Sequence, residues 1–302
     1  MENNIINQVL ILFIIMLVGV VCRKKEILNN SINKKLSEFL VKVTLPCLIV
    51  SSFNYKFTND MIDKCKMILF YSIMIHIIII PLSNLIFRRF NDKSNKVLRF
   101  ASVFSNSAFM GYPVLQALYG NLGVFYGSIF GIPYNIIMLS VGIEIYTGKR
   151  SKESFKNILK QPGIIATLVG ILIITFSIRI PMPLSKALNS IGSMTTPLSM
   201  IVLGVMLSDI NVKSMFSTLE PYYASLVRLM IMPFVTYLLL YLLKADQFLL
   251  EICVILEAMP TAVLCSVLAE EYDADSVLAA KCVFMTTLLS IITIPIIVSV
   301  IT

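Results

Sequence analysis

Asn106-Ser-Ala-Phe-Met-Gly-Tyr-Pro113 and Glu257-Ala-Met-Pro260-Thr261 are two proline-broken stretches, each near the middle of an apolar segment long enough to cross a bilayer. Proline has no N–H, and its ring clashes with the turn before it, so a helix kinks or breaks there. Broken backbone at membrane depth persists only inside protein or around a water-filled cavity, because lipid offers no hydrogen bonds. Two breaks in corresponding places of two halves point to the binding site of a transporter.

Apolar segments recur along the whole chain. Its 302 residues are 57% hydrophobic and only 14% charged, with a mean hydropathy of +0.86, which excludes an ordinary soluble globule. About twenty apolar residues cross ~30 Å of hydrocarbon. Such runs fall at roughly 5–22, 32–53, 67–87, 98–118, 122–147, 161–178, 184–208, 220–243, 248–269 and 276–300. The expected fold class is all-α integral membrane, with ten transmembrane helices. Met1-Glu-Asn-Asn supplies no basic n-region, and no small-residue cleavage site follows the first run, so a signal peptide is not expected. Cys22, Cys47, Cys65, Cys253, Cys265 and Cys282 form no C-x-x-C and read as small apolar packing residues.

The net charge of +8 does not indicate nucleic acid, because the basic residues sit in short loops between apolar runs. Sixteen Lys and Arg collect on one side of the expected membrane, Arg23-Lys24-Lys25 among them, against six on the other. The positive-inside rule places the sixteen in the cytoplasm and both termini outside. The bias is carried by the first half, since the last cytoplasmic loop is acidic (Glu270, Glu271, Asp273, Asp275).

The basic linker 148–160 divides the chain into a first five-helix repeat, 1–147, and a second, 161–302. Weak internal symmetry supports the division. Lys35 and Pro46 match Lys186 and Pro197 at an offset of 151, and His76 and Pro81 match Arg228 and Pro233 at 152. Gly19 and Gly170 fall at 151, and Pro113 and Pro260 at 147. An odd number of helices per half makes the second repeat inverted, which places substrate near the midplane where the halves meet.

Asn106-x4-Gly111-x-Pro113-x-Leu115-x2-Leu118-Tyr119-Gly120 resembles the fourth helix of the auxin efflux carrier family. Ala258-Met259-Pro260, with Leu268-Ala269-x-Glu271-Tyr272, resembles its ninth. The family includes the plant PIN auxin exporters and bacterial permeases for malate and malonate. The resemblance covers the whole chain. It implies a fold like that of bile-acid symporters and sodium/proton antiporters, in which broken helices four and nine cross and one bundle moves against a scaffold. It also implies a substrate beside Asn106. The linker here is far shorter than the long loop of many PIN proteins, so loop-based regulation does not carry over.

Proline suits the first turn of a helix. Restarts at about Gly111-Tyr112-Pro113 and Pro260-Thr261 would then aim two helix N-termini at the midplane. Each is equivalent to roughly half a positive charge, a ready anion site. Asn106 ends the first half of helix four and could cap freed carbonyls or donate to a carboxylate. With Met259, Tyr134-Asn135 and Ser51-Ser52 these residues make the candidate substrate pocket. Glu257 departs from the small residue usual in PIN proteins and is the candidate coupling group, either taking up a proton or staying neutral and hydrogen-bonded. Arg228 and His76 could line an anion path; the alternative for Arg228, which the sequence favours, is a scaffold charge that is paired or snorkels to an interface.

The function expected is secondary transport of a small organic anion, auxin-like or dicarboxylate-like, across the cell membrane by elevator-type alternating access. The alternatives are a transport-dead ligand sensor on the same fold and a sodium-coupled symporter. An intramembrane enzyme would need a nucleophile with a base or a metal cluster, and one His with no H-E-x-x-H does not supply it. No cofactor and no metal are expected. The expected partners are the substrate anion and the lipid bilayer, with protons and a homodimer left open.

Overall fold

The computed structural model describes residues 2–54, 58–148, 160–176, 178, 180–208 and 218–302. Most of the linker 148–160 therefore lies outside the described residues. All elements among the described residues are helices. Helix α1 is Glu2–Lys24, α2 is Asn30–Phe39, α3 is Leu45–Ser52, α4 is Asn59–Phe87 and α5 is Asp92–Val103. Helix α6 is Tyr112–Thr147, α7 is Pro162–Thr175, α8 is Met182–Ser193 and α9 is Thr195–Ser208. Helix α10 is Glu220–Leu226, α11 is Met232–Leu242, α12 is Gln247–Ala258, α13 is Leu264–Glu271 and α14 is Ser276–Ile301. Among the described residues each of the ten apolar segments is mainly helical, with non-helical backbone inside 98–118 and 248–269. Among the described residues, five stretches are long and apolar enough to cross a membrane: Asp60–Phe87, Ser107–Thr147, Met182–Ser208, Glu220–Leu242 and Ser276–Ile301.

Polar caps set several helix starts. Asn29 accepts from the Ile32 N–H, Asn91 from Ser94, Asp246 from Leu249 and Asp275 from Leu278. Each side chain satisfies one N–H that a helix start leaves without a partner. The gap read between 118 and 122 is real. At Gly120 the α6 backbone has φ 60° and ψ −148°, a region open in practice only to glycine.

Three prolines share one local effect. Wide π turns occupy Leu40–Thr44, Ser107–Gly111 and Val227–Ile231, and each ends two residues before a proline, Pro46, Pro113 or Pro233. A proline ring crowds the carbonyl four residues back and cannot bond to it. Widening the preceding turn by one residue relieves the clash. The third of these turns carries Arg228.

The described residues form two compact units. The first comprises Met1–Leu69, Ala108–Ile132 and Lys156–Asp209; the second comprises Phe70–Ser107, Pro133–Phe155 and Ile210–Thr302. Each unit draws on both halves of the chain, so the units are not the sequence halves. In the first unit α1 packs against α9 backbone to backbone. A Cβ on Gly19 would lie 2.2 Å from the Ile201 carbonyl oxygen, and one on Gly204 would lie 2.0 Å from that of Met16. In the same unit Gln116 on α6 accepts from the Thr196 hydroxyl of α9 at 2.7 Å. The second unit holds the broken backbone that the sequence singles out.

Candidate functional site

Helix α5 ends at Val103 and helix α12 at Ala258, and the two segments that follow are extended and pair with each other. Phe104 has φ −102° and ψ 115°, and Met259 has φ −67° and ψ 150°. Ser105 and Thr261 face each other across an antiparallel bridge. The Asn106 N–H donates to the Pro260 carbonyl at 2.7 Å, and the Ala262 N–H to the Phe104 carbonyl at 2.9 Å. The breaks therefore sit at Phe104–Asn106 and Met259–Thr261. The first lies upstream of Gly111-Tyr112-Pro113, where the sequence suggested the restart. Pro113 instead follows a π turn that begins at Ser107. Pro260 is part of the extended strand, not of a helix's first turn, and α13 starts at Leu264.

A helix end leaves its last carbonyls without partners, and burial makes that costly. Here named side chains take them up. The Thr261 hydroxyl donates to the Ala101 carbonyl at 2.8 Å. Arg228 donates through Nη1 to the carbonyls of Ser102 at 3.0 Å and Val103 at 2.8 Å. Through Nε it reaches the Met259 carbonyl at 3.0 Å, and through Nη2 the Glu257 carbonyl. The Tyr134 hydroxyl donates to the Ser105 carbonyl at 2.5 Å. One guanidinium thus caps the C-terminal ends of both broken helices.

The same guanidinium pairs with the Glu257 side chain, Nη2 to Oε2 at 3.0 Å, and both residues are fully buried. On the other carboxylate oxygen, Oε1, stands His76 Nε2 at 3.6 Å. His76 is also fully buried and stacks edge-on to Tyr134, with ring centroids 5.4 Å apart. Its Nδ1 lies 2.7 Å from the Ser72 carbonyl oxygen. A carbonyl only accepts, so Nδ1 carries hydrogen. Nε2 then faces the carboxylate with a lone pair unless a proton sits on one of the two atoms.

The structure brings Asn106, Tyr134, Met259, Pro260, Thr261, Glu257, Arg228 and His76 together in the second unit. Asn106 is buried, and it joins the bridge through its main chain. Asn135 follows Tyr134 on α6 and is half-buried. Gly111, Tyr112, Pro113, Ser51 and Ser52 belong to the first unit. The Ser51 and Ser52 hydroxyls bond back to their own helix, to Leu48 at 2.9 Å and Ile49 at 2.6 Å, the usual resting place of a helical serine. Lys42 pairs with Glu38 at 2.6 Å. Sequence reasoning missed Ser105 and Thr286. The Thr286 hydroxyl accepts from the Thr261 N–H at 3.1 Å and donates to Cys282 at 2.7 Å. Its one sequence signal is a hydroxyl pair, Thr286-Thr287, inside the last apolar run.

A family described as membrane transport proteins matches residues 4–158 and 151–298. The chain belongs to this family. Its resemblance to the auxin efflux carriers is thereby confirmed for the chain as a whole. An uncharacterized transporter of Methanocaldococcus jannaschii is 26% identical over 299 residues, covering 95% of this chain and 96% of that protein. An uncharacterized transporter of Methanothermobacter thermautotrophicus is 25% identical over 293 residues, covering 96% of each. With its family and its apolar helices, this membrane transport protein is a multi-pass membrane protein.

Proposed function

We propose that this membrane transport protein is a secondary carrier for a small organic anion, a carboxylate of the auxin or dicarboxylate kind. The electrostatics of the crossing carry the reading. The negative C-terminal ends of α5 and α12 are covered by the Arg228 cation. The chains that restart at Ser107 and Leu264 have no acidic residue in their first turns. Their positive ends, each about half a charge, are left to an anion. Asn106 stands at the start of one of them and is the substrate contact, with Tyr134, Thr261 and Pro260 shaping the backbone around it. The ten spans form two inverted repeats with both termini outside, and the unit holding the crossing is the moving body of an elevator cycle.

Proton coupling is favoured over sodium coupling by one contact. His76 Nε2 and Glu257 Oε1 face each other at 3.6 Å, and a proton on either turns two opposed lone pairs into an attraction. Purified protein in proteoliposomes, tested with labelled organic acids with and without a pH gradient, decides both points. Uptake of an organic acid that rises with an imposed proton gradient supports the reading. Movement of cations or neutral solutes alone ends it. Saturable binding without any flux assigns the protein as a sensor.

A further inference from the structure

Arg228 is long, charged and fully buried, and all of the N–H groups a guanidinium carries are engaged. Its five acceptors are the carbonyls of Ser102, Val103, Glu257 and Met259 and the carboxylate of Glu257. These oxygens come from two chain segments far apart in sequence, the end of α5 and the end of α12. A cluster of carbonyl and carboxylate oxygens at two helix C-termini is, chemically, a cation site: hard oxygen donors, negative dipole ends and one formal negative charge. The cation in it is covalently tethered.

We infer that Arg228 is the resident cation of the crossing, and that it takes the place an exchangeable alkali cation would otherwise fill. Both roles of such an ion are discharged by the guanidinium. It satisfies the orphan carbonyls of α5 and α12, and it neutralises Glu257. A second cation would have to share those oxygens with a fixed positive charge in a fully buried site, where like charges repel strongly. The crossing is therefore assembled permanently, with no dependence on sodium or potassium. Arg228 is a positioning residue: it sets the backbone of Phe104–Asn106 and Met259–Thr261 rather than touching substrate. The π turn at Val227–Ile231 presents it, and Pro233 makes that turn wide. This inference goes beyond the transport reading and holds whatever the carrier moves.

Full-length protein in detergent is tested by thermal unfolding, followed with a thiol-reactive dye that reports exposure of buried Cys253, Cys265 and Cys282. The wild type is expected to melt at the same temperature in sodium, potassium and choline chloride, and to bind no radioactive sodium. R228A removes the tethered cation and leaves the oxygen cage. It is expected to melt lower in choline and to be raised by about 3 °C or more by millimolar guanidinium. R228K keeps a charge with fewer donors and is expected to fall between the two and to ignore guanidinium. If R228A is recovered folded only when guanidinium is present throughout purification, that is the same rescue. Stoichiometric sodium binding by the wild type, or a wild-type melting temperature that depends on sodium, overturns the inference whether or not any variant folds. So does an R228A protein as stable as wild type and indifferent to guanidinium. Because these readouts are ion binding and stability, their failure is distinct from a failure to find an anionic substrate.

Discussion

His76 and Arg228 hold opposite oxygens of one carboxylate, that of Glu257: Nε2 lies 3.6 Å from Oε1 and Nη2 lies 3.0 Å from Oε2. The two residues occupy matching positions five before Pro81 and Pro233. A lone buried charge is expensive, whereas a pair with further hydrogen bonds is tolerable. R228M leaves Glu257 buried without its cation and should cost about 3–5 kcal/mol. The double variant R228M/E257M should cost less than the sum of the two single changes. Thermal melts of the four proteins give the coupling. Additive effects would mean that the pair contributes nothing and that the carbonyl bonds alone hold Arg228.

Thr261→Val keeps the shape of the side chain and removes the hydroxyl that serves the Ala101 carbonyl. The stranded, buried carbonyl should lower stability by about 1–3 kcal/mol. Thr261→Ser should restore most of it. Equal melting temperatures for the valine variant and the wild type would show that the α5 end is held without Thr261.

Asn106→Ala should abolish transport with the fold intact. The bridge at this residue runs through its main-chain N–H to Pro260, which alanine retains. Flux and melting temperature are read on the same preparation. A variant that unfolds, or that keeps wild-type substrate affinity, assigns the amide a structural role only.

Pro260 faces Asn106 in a position where an antiparallel pair ordinarily exchanges two hydrogen bonds, and proline can supply only one. Pro260→Ala adds the N–H that completes the exchange. It should raise stability by up to about 1 kcal/mol and slow transport by stiffening the crossing. Pro113→Ala should tighten the π turn at Ser107–Gly111 into α-helix and rotate Ser107 and Asn106 out of register, lowering flux. It should leave the break at Phe104–Asn106, because the bridge to Pro260 and Ala262 does not involve Pro113. Unchanged flux in both variants would separate the prolines from the transport cycle.

Glu257→Gln cannot ionise. Substrate binding by this variant should be flat between about pH 5 and 8 for a fully ionised acid, and proton-driven accumulation should be lost while exchange continues. His76→Phe should flatten the profile in the same way. A wild-type profile that is already flat removes the pair from coupling.

The helices were legible because lipid dictates them. A chain with apolar runs of membrane length must close its backbone bonds within each run, so composition and spacing alone located the helical segments. The prolines told the sequence reader that backbone is disturbed near Pro113 and Pro260. They did not tell where it becomes extended. That depends on which carbonyls and N–H groups find partners, and the partners come from α10–α11, α6 and α14.

What the sequence determined by itself is the class: an all-helical membrane protein of the transport family, broken near two prolines, with Asn106, Glu257, Arg228 and His76 as its notable polar residues inside apolar runs. What only the tertiary structure decided is their division of labour. Arg228 lies far from Ser102 and Met259 along the chain, and nothing in its local sequence separates an anion-path arginine from a helix cap. Packing brings both helix ends within reach of one guanidinium, and their buried carbonyls, together with the Glu257 carboxylate, occupy every donor it has. The physical reason is that helices are set by short-range bonding in a uniform solvent. The satisfaction of a broken end is a long-range problem, with an answer that exists only once the chain has packed.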